Sequence, residues 1–129
     1  MPSFCTTTLF ISGPKQEIKN FALELNENKE RFFEWLMPLQ QRHYEDTDSI
    51  ADYWGSKWEA HDLEFHIYGH NVDTTNPTGV RSTKSLIRMS FRNPWSPPKG
   101  IIDKLFFKYP QFKFEIAWDL EGEYDVDLP

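Results

Sequence analysis

The sequence predicts an α+β fold of the split βαβ type, with one antiparallel sheet and two main helices on one face. Three observations support this prediction. Alternating apolar and polar residues mark four strands, and two of the intervals between them carry apolar residues at helical spacing. Segments rich in Gly, Pro, Asn or Ser separate these stretches, as expected at turns. A short extra helical excursion is predicted before the second strand.

The first strand and the first main helix are predicted from the beginning of the chain. Residues 4–11 are dense in Thr and aromatic residues, and one side of this strand is formed by Cys5, Thr7, Leu9 and Ile11. A break follows, in which Ser12 or Gly13 is predicted to cap a helix that holds Pro14 in its first turn. That helix lays an apolar stripe on the sheet through Ile18, Phe21, Ala22 and Leu25.

The extra helical excursion follows this first helix, which residues 26–29 are predicted to break. A short apolar cluster closed by Pro38 comes next, formed by Phe32, Phe33, Leu36 and Met37. We interpret it as either a single helical turn or an extended crossing segment. Residues 40–46 are polar and have no period, so they predict a surface loop.

Residues 54–60 are the stretch around which the rest of the chain is organised. Gly55 is predicted to end a short helix, because glycine adopts the left-handed C-cap conformation without steric cost. The apolar face of that helix is formed by Ile50, Tyr53 and Trp54. Trp54 and Trp58 are interpreted first as core anchors, and the alternative is a surface patch for a partner.

The second half of the chain completes the sheet. Strands are predicted at residues 63–68 and 85–91, joined by a long polar loop at residues 69–84. Ser96 is predicted to cap a helix whose first turn holds prolines and whose stripe is formed by Ile102, Leu105, Phe106 and Tyr109. The strongest strand signal is the alternation of Phe112, Phe114, Ile116 and Trp118.

The element order is strand, helix, strand, strand, helix, strand, which is the ferredoxin-like arrangement. Residues 1–129 are predicted to form a single domain with an acidic C-terminal end at residues 121–129. Aromatic residues make up 16% of the sequence, so we expect a core built from Phe and Trp as well as aliphatic residues.

Charge and cysteine content limit the classes of function. A net charge of -6 argues against a general binder of nucleic acid or anionic membranes, because such partners are bound through clustered Lys and Arg. Cys5 is the single cysteine, which excludes an intramolecular disulfide and a cysteine-based zinc site. No leader and no membrane-spanning stretch is recognisable, so we expect a cytosolic protein.

No spacing of residues matches a catalytic or cofactor-binding motif, so no cofactor is expected and the protein is not expected to be an enzyme. The alternative is a metal-dependent enzyme that uses the histidine cluster of His61, His66 and His70, although their spacing matches no metal motif. Binding of RNA or single-stranded DNA on the open sheet face is a further alternative, which the acidic total disfavours.

Several stretches resemble the YubB-type ferredoxin-like domain family carried by phages and plasmids. They are residues 1–5 leading to Leu9 and Gly13, residues 54–60, residues 94–98, and the segment with Phe33, Leu36 and Pro38. The resemblance implies a fold and a genetic setting. It implies no activity, because no catalytic residue or cofactor is established for that family.

We therefore predict a binding module that engages a host or mobile-element protein and performs no catalysis. An acidic surface that competes with nucleic acid for a host protein is a related idea, based on the C-terminal end. The oligomeric state is not decided, although an unpaired edge strand allows a dimer. The candidate contact surface is the open sheet face and the loop at residues 69–84, with Trp54, Trp58, Trp95, Tyr68, Arg88 and Arg92 as its residues.

Overall fold

A computed structural model describes residues 4–68 and 84–120, which form a four-stranded sheet and five helices. The strands are β1 (Phe4–Pro14), β2 (His61–Tyr68), β3 (Lys84–Pro94) and β4 (Lys113–Leu120). The helices are α1 (Lys15–Asn28), α2 (Phe32–Leu36), α3 (Gln41–Glu45), α4 (Ser49–Trp54) and α5 (Lys99–Lys108), with a 3-10 turn at Lys29–Arg31. Of the loop predicted at residues 69–84, residue Lys84 begins β3, and residues 69–83, which include His70, lie outside the described residues, as does the acidic end at 121–129.

The strand order β2-β3-β1-β4 and the antiparallel pairing of all neighbours confirm the ferredoxin-like prediction. β1 lies in the middle of the sheet because α1 carries the chain past β3 to β2, and β3 then returns between them. None of the helices in the described ranges is long and apolar enough to cross a membrane.

One face of the sheet is packed under the helices and forms the core. The alternation predicted for β1 is confirmed, because Cys5, Thr7, Leu9 and Ile11 are all fully buried. The predicted stripe of α1 is buried against the same face. The aromatic part of the core comes from Phe21, Phe32, Phe33, Phe91, Trp54 and Phe112. The cluster before Pro38 is a helical turn, α2, which delivers two of these rings.

The boundaries of two helices differ from the sequence prediction. β1 continues to Pro14 because β3 is long enough to keep Gly13 and Pro14 paired, so neither Ser12 nor Gly13 caps α1. Ser96 does not cap α5, which begins at Lys99 after the last proline. The Ser96 N–H donates instead to the Pro94 carbonyl (2.9 Å), which closes a turn.

The prediction of a surface loop at residues 40–46 is wrong. Residues Gln41–Glu45 form helix α3, and His43 is fully buried within it. The His43 Nδ1 accepts a hydrogen bond from the Gln40 N–H (2.8 Å), and its ring stacks on Tyr53 at 4.5 Å between centroids. Helix α3, although its sequence is polar, therefore packs against α4 through the stacking of His43 on Tyr53.

The last helix and strand bury fewer of their predicted residues than expected. Phe106 is 41% exposed, and Ile101 takes its place in the buried stripe of α5. Ile116 and Trp118 lie on the helix side of β4, opposite Leu9 and Thr7, yet they are exposed. The reason is that β4 is an edge strand, which α5 contacts near its start through the rings of Phe106 and Phe114 (4.9 Å).

Candidate functional site

The candidate site is the open face, the side of the sheet that points away from the core. Strand register places alternate residues of every strand on it, and those named next are all at least partly exposed. They include Phe4, Thr6, Thr8 and Phe10 on β1, Leu86, Arg88, Ser90 and Arg92 on β3, Glu64, His66 and Tyr68 on β2, and Lys113, Glu115, Ala117 and Asp119 on β4. This face is thus available for contact.

One end of the open face carries an aromatic corner, which we define as Phe4, Trp58, His61 and Arg92. The ring centroids of Phe4 lie 6.4 Å from Trp58 and 5.8 Å from His61, and those of Trp58 and His61 are 6.1 Å apart. The Arg92 guanidinium lies 4.8 Å above the Phe4 ring, a cation–π contact. Arg92 also pairs with Asp62 (3.2 Å), so its charged group is held in place.

The local fold after α4 turns Trp58 toward this corner. Gly55 has φ of 82°, the left-handed C-cap predicted from the sequence, and it reverses the chain. The buried Ser56 hydroxyl donates to the Trp58 carbonyl (2.8 Å) and accepts from the Trp58 N–H (3.3 Å). These two bonds fix the backbone of Trp58 while 43% of the residue stays exposed.

Backbone strain is concentrated near the same end of the sheet. Among the described residues, the non-glycine positions with positive φ are Asp62 (53°) and Trp95 (69°). Asp62 is the second residue of β2 and follows His61 of the corner, and Trp95 follows Pro94, the β3 residue opposite Phe4. Asn93 holds the second turn, since its side-chain amide donates to the Ser96 carbonyl (2.7 Å). Strained non-glycine residues of this kind are found more often at functional sites.

The charges on the open face are mixed in sign. Its basic residues include Arg88, Arg92 and Lys113, and its acidic residues include Glu64, Glu115 and Asp119. A surface that follows a phosphate backbone requires a continuous basic stripe. This face lacks one among the described residues.

Two of the three histidines predicted as an alternative metal site are described by the structure, and these two lie far apart. His61 and His66 lie opposite Arg92 and Arg88, four residues apart along β3, which corresponds to roughly 13 Å. His70 lies outside the described residues. In the ranges 4–68 and 84–120, no group of three or more His, Cys, Asp or Glu is placed to hold a metal ion. Cys5 is buried, and this burial raises the pKa of its thiol.

The structure separates the residues predicted for the contact surface. Trp54 is 4% exposed and its indole N–H donates to the Met37 carbonyl (2.9 Å), so it belongs to the core. Trp58 (43%), Tyr68 (44%) and Trp95 (56%) are exposed. Arg88 is also exposed, and Arg92 is half-buried. The sequence prediction did not place Phe4 and His61 beside Trp58, because only strand register brings them together.

Glu59 anchors the segment that carries Trp58. Its carboxylate is half-buried and accepts hydrogen bonds from the backbone N–H groups of Phe33 (2.5 Å), Glu34 (2.9 Å) and Ala60 (3.0 Å). The first two are unpaired donors at the start of α2, which a carboxylate satisfies well. Burial raises the pKa of Glu59, and these three hydrogen bonds offset part of that rise.

We expect Glu59→Gln to lower the free energy of unfolding by about 1–3 kcal/mol, because one buried N–H loses its acceptor. Since the folded-state pKa of Glu59 is raised, wild type should lose stability relative to the non-titrating Gln variant as the pH rises from below the ordinary pKa through the raised value, so the difference between the two proteins is largest at low pH. Urea unfolding of both proteins across this pH range checks the prediction. The matched control is Glu30→Gln on the exposed 3-10 turn; an equal effect there contradicts the account.

Comparison with known proteins adds one finding to this geometry. A family model described as a ferredoxin-like domain in Api92-like protein matches residues 54–126, more than half of the chain. The match begins at the end of α4 and includes all of β2, β3, α5 and β4. No curated protein matches the sequence.

Proposed function

Because this chain belongs to the family of ferredoxin-like domains in Api92-like proteins, a fold that by itself fixes no activity, we propose that it is a non-catalytic module that binds another protein. The open face is the contact surface. The observation that carries the proposal is the aromatic corner, where rings and a cation–π pair are held in place on a face that stays exposed.

The residue types on and beside this face are those of protein interfaces. Trp, Tyr and Arg are enriched among the few residues that supply most of the binding energy in such contacts. Trp58, Tyr68 and Trp95 are exposed, and Arg88 is exposed on the central strand β3. The acidic and basic residues of the open face suit a partner whose own surface carries both charges, and they disfavour a polyanion.

The resemblance to the YubB-type family supports a more specific setting. In this proposal the chain is a phage- or plasmid-type protein in the cytoplasm of a bacterial host, and its partner is a host or mobile-element protein. A metal-dependent enzyme receives no support from the described residues, because His61 and His66 are far apart on β2.

The experiment is a comparative capture from bacterial lysate, run with and without nuclease. Wild type is compared with the open-face variants Trp58→Ala and Arg88→Glu and with the control Leu23→Ala, which is 59% exposed on α1. We expect one protein in stoichiometric amount, retained by wild type and the control after nuclease treatment and lost with both face variants. Recovery of nucleic acid alone, or equal retention by the face variants, contradicts the proposal.

A further inference from the structure

The outer edge of β4 carries an exposed apolar strip. β4 is the last strand in the sheet order, and no described strand pairs with its outer side. Its eight residues keep an unbroken register with β1. On the helix side it presents Ile116 (39% exposed) and Trp118 (57% exposed) beside the half-buried Phe114. A long regular edge strand with apolar residues is a template for pairing with another strand.

The opposite edge of the sheet is protected by contrast. β2 has an irregular register between His61 and Glu64, and Asp62 within it has positive φ. A bulge of this kind twists an edge strand and disrupts the row of groups that a second strand needs. β4 has no such irregularity.

We propose that two copies of this chain pair through β4 in antiparallel orientation, with a twofold axis at Ile116, to give one continuous sheet. In this register Phe114 faces Trp118 of the second copy on the helix side, and Lys113 faces Asp119 of the second copy on the open face. The twofold axis repeats each pair, so the contact is self-complementary. Residues that face each other share a side of the sheet, as a continuous sheet requires.

Charge selects this register over its neighbours. A twofold axis at Glu115 places that carboxylate opposite its own copy, and an axis at Ala117 places Glu115 opposite Asp119. Like charges directly opposite each other destabilise a strand pair, whereas opposite charges stabilise it. The axis at Ile116 also brings Trp118 of the second copy beside Phe114, which extends the ring contact between Phe106 and Phe114 (4.9 Å).

Sedimentation velocity over a concentration series tests the dimer. We expect wild type to dimerise and Ile116→Lys to remain monomeric, because two lysines then meet at the axis. The matched control is Ile67→Lys on β2, since Ile67 has the same exposure (40%) and also lies on the helix side. Circular dichroism confirms that both variants are folded. A monomeric wild type at every concentration, or a dimeric Ile116→Lys variant, overturns the proposal.

Charge exchange tests the register. Lys113→Asp and Asp119→Lys should each raise the dimer dissociation constant by roughly tenfold, because each places like charges opposite one another in two pairs. The double variant restores both pairs and should return the dissociation constant toward that of wild type. A double variant that is weaker than both single variants overturns the register.

Oxidation of Ile116→Cys gives a covalent readout. Directly opposed residues have Cα atoms about 4.5–5.5 Å apart, which falls within disulfide range. We expect this variant to form an intermolecular disulfide, and Ala117→Cys to form little, because in this register Ala117 lies opposite Glu115. Wild type serves as the background, because its one cysteine is buried. Efficient cross-linking of Ala117→Cys alone contradicts the register.

Discussion

Gly100→Ala is expected to lower the free energy of unfolding by about 3 kcal/mol, the upper end of the usual range for overpacking. An alanine in place of a glycine usually stabilises a helix by about 1 kcal/mol, so the expected sign is reversed. The reason is the close approach of α5 to the end of α4. A Cβ on Gly100 would lie 2.1 Å from the Tyr53 carbonyl oxygen and 3.0 Å from the Trp54 carbonyl carbon. These are backbone atoms, which cannot rotate away.

Chemical denaturation of Gly100→Ala measures this loss, and two other variants test its cause. Gly55→Ala should be comparably destabilised, because its Cβ would lie 2.3 Å from the Lys99 nitrogen and its φ is positive. Gly13→Ala should lose less, because the atoms nearest its Cβ belong to the Phe112 side chain and not to the backbone. A Gly100→Ala protein as stable as wild type would show that the two helices do not cross this closely.

Trp54→Ala is expected to destabilise the protein by about 3–5 kcal/mol, the range for removing a buried aromatic side chain. The indole packs edge-on against Phe33 (5.5 Å between centroids) and donates to the Met37 carbonyl. Trp58→Ala and Trp95→Ala should each cost less than about 1 kcal/mol, because both residues are exposed.

Thermal and urea unfolding of these three variants separates core from surface. A further variant, Trp54→Phe, separates packing from hydrogen bonding, since it keeps most of the packing and loses the hydrogen bond to Met37. We expect its stability to lie between wild type and Trp54→Ala. Equal losses for Trp54→Ala and Trp58→Ala would show that Trp58 is a core residue and unavailable to a partner.

Much of the fold was predictable because its signals are local. The alternation at residues 4–11 and 85–91 reports which side of each strand is buried, and the stripe of α1 reports its buried face. Gly55 marks a helix end because few other residues adopt the left-handed conformation there. Each of these patterns lies within a few residues of the chain, so no tertiary information was needed.

The rest depends on contacts between distant segments. Helix α3 has no apolar period, and its fixed position comes from His43 stacking on Tyr53. The aromatic corner joins Phe4 on β1, Trp58 before β2 and Arg92 on β3, which only strand register brings together. Trp54 and Trp58 look equivalent in sequence, yet the reversal at Gly55 leaves one buried and the other exposed.

Site-specific photo-crosslinking in bacterial cells tests the central claim most directly. A photoreactive amino acid replaces Tyr68 on the open face in one protein and Leu23 on α1 in another; these residues are 44% and 59% exposed. The account predicts a covalent adduct with one protein from position 68 and none from position 23. Adducts from position 23 alone, adducts with nucleic acid at position 68, or no adduct at either position would contradict a protein-binding open face.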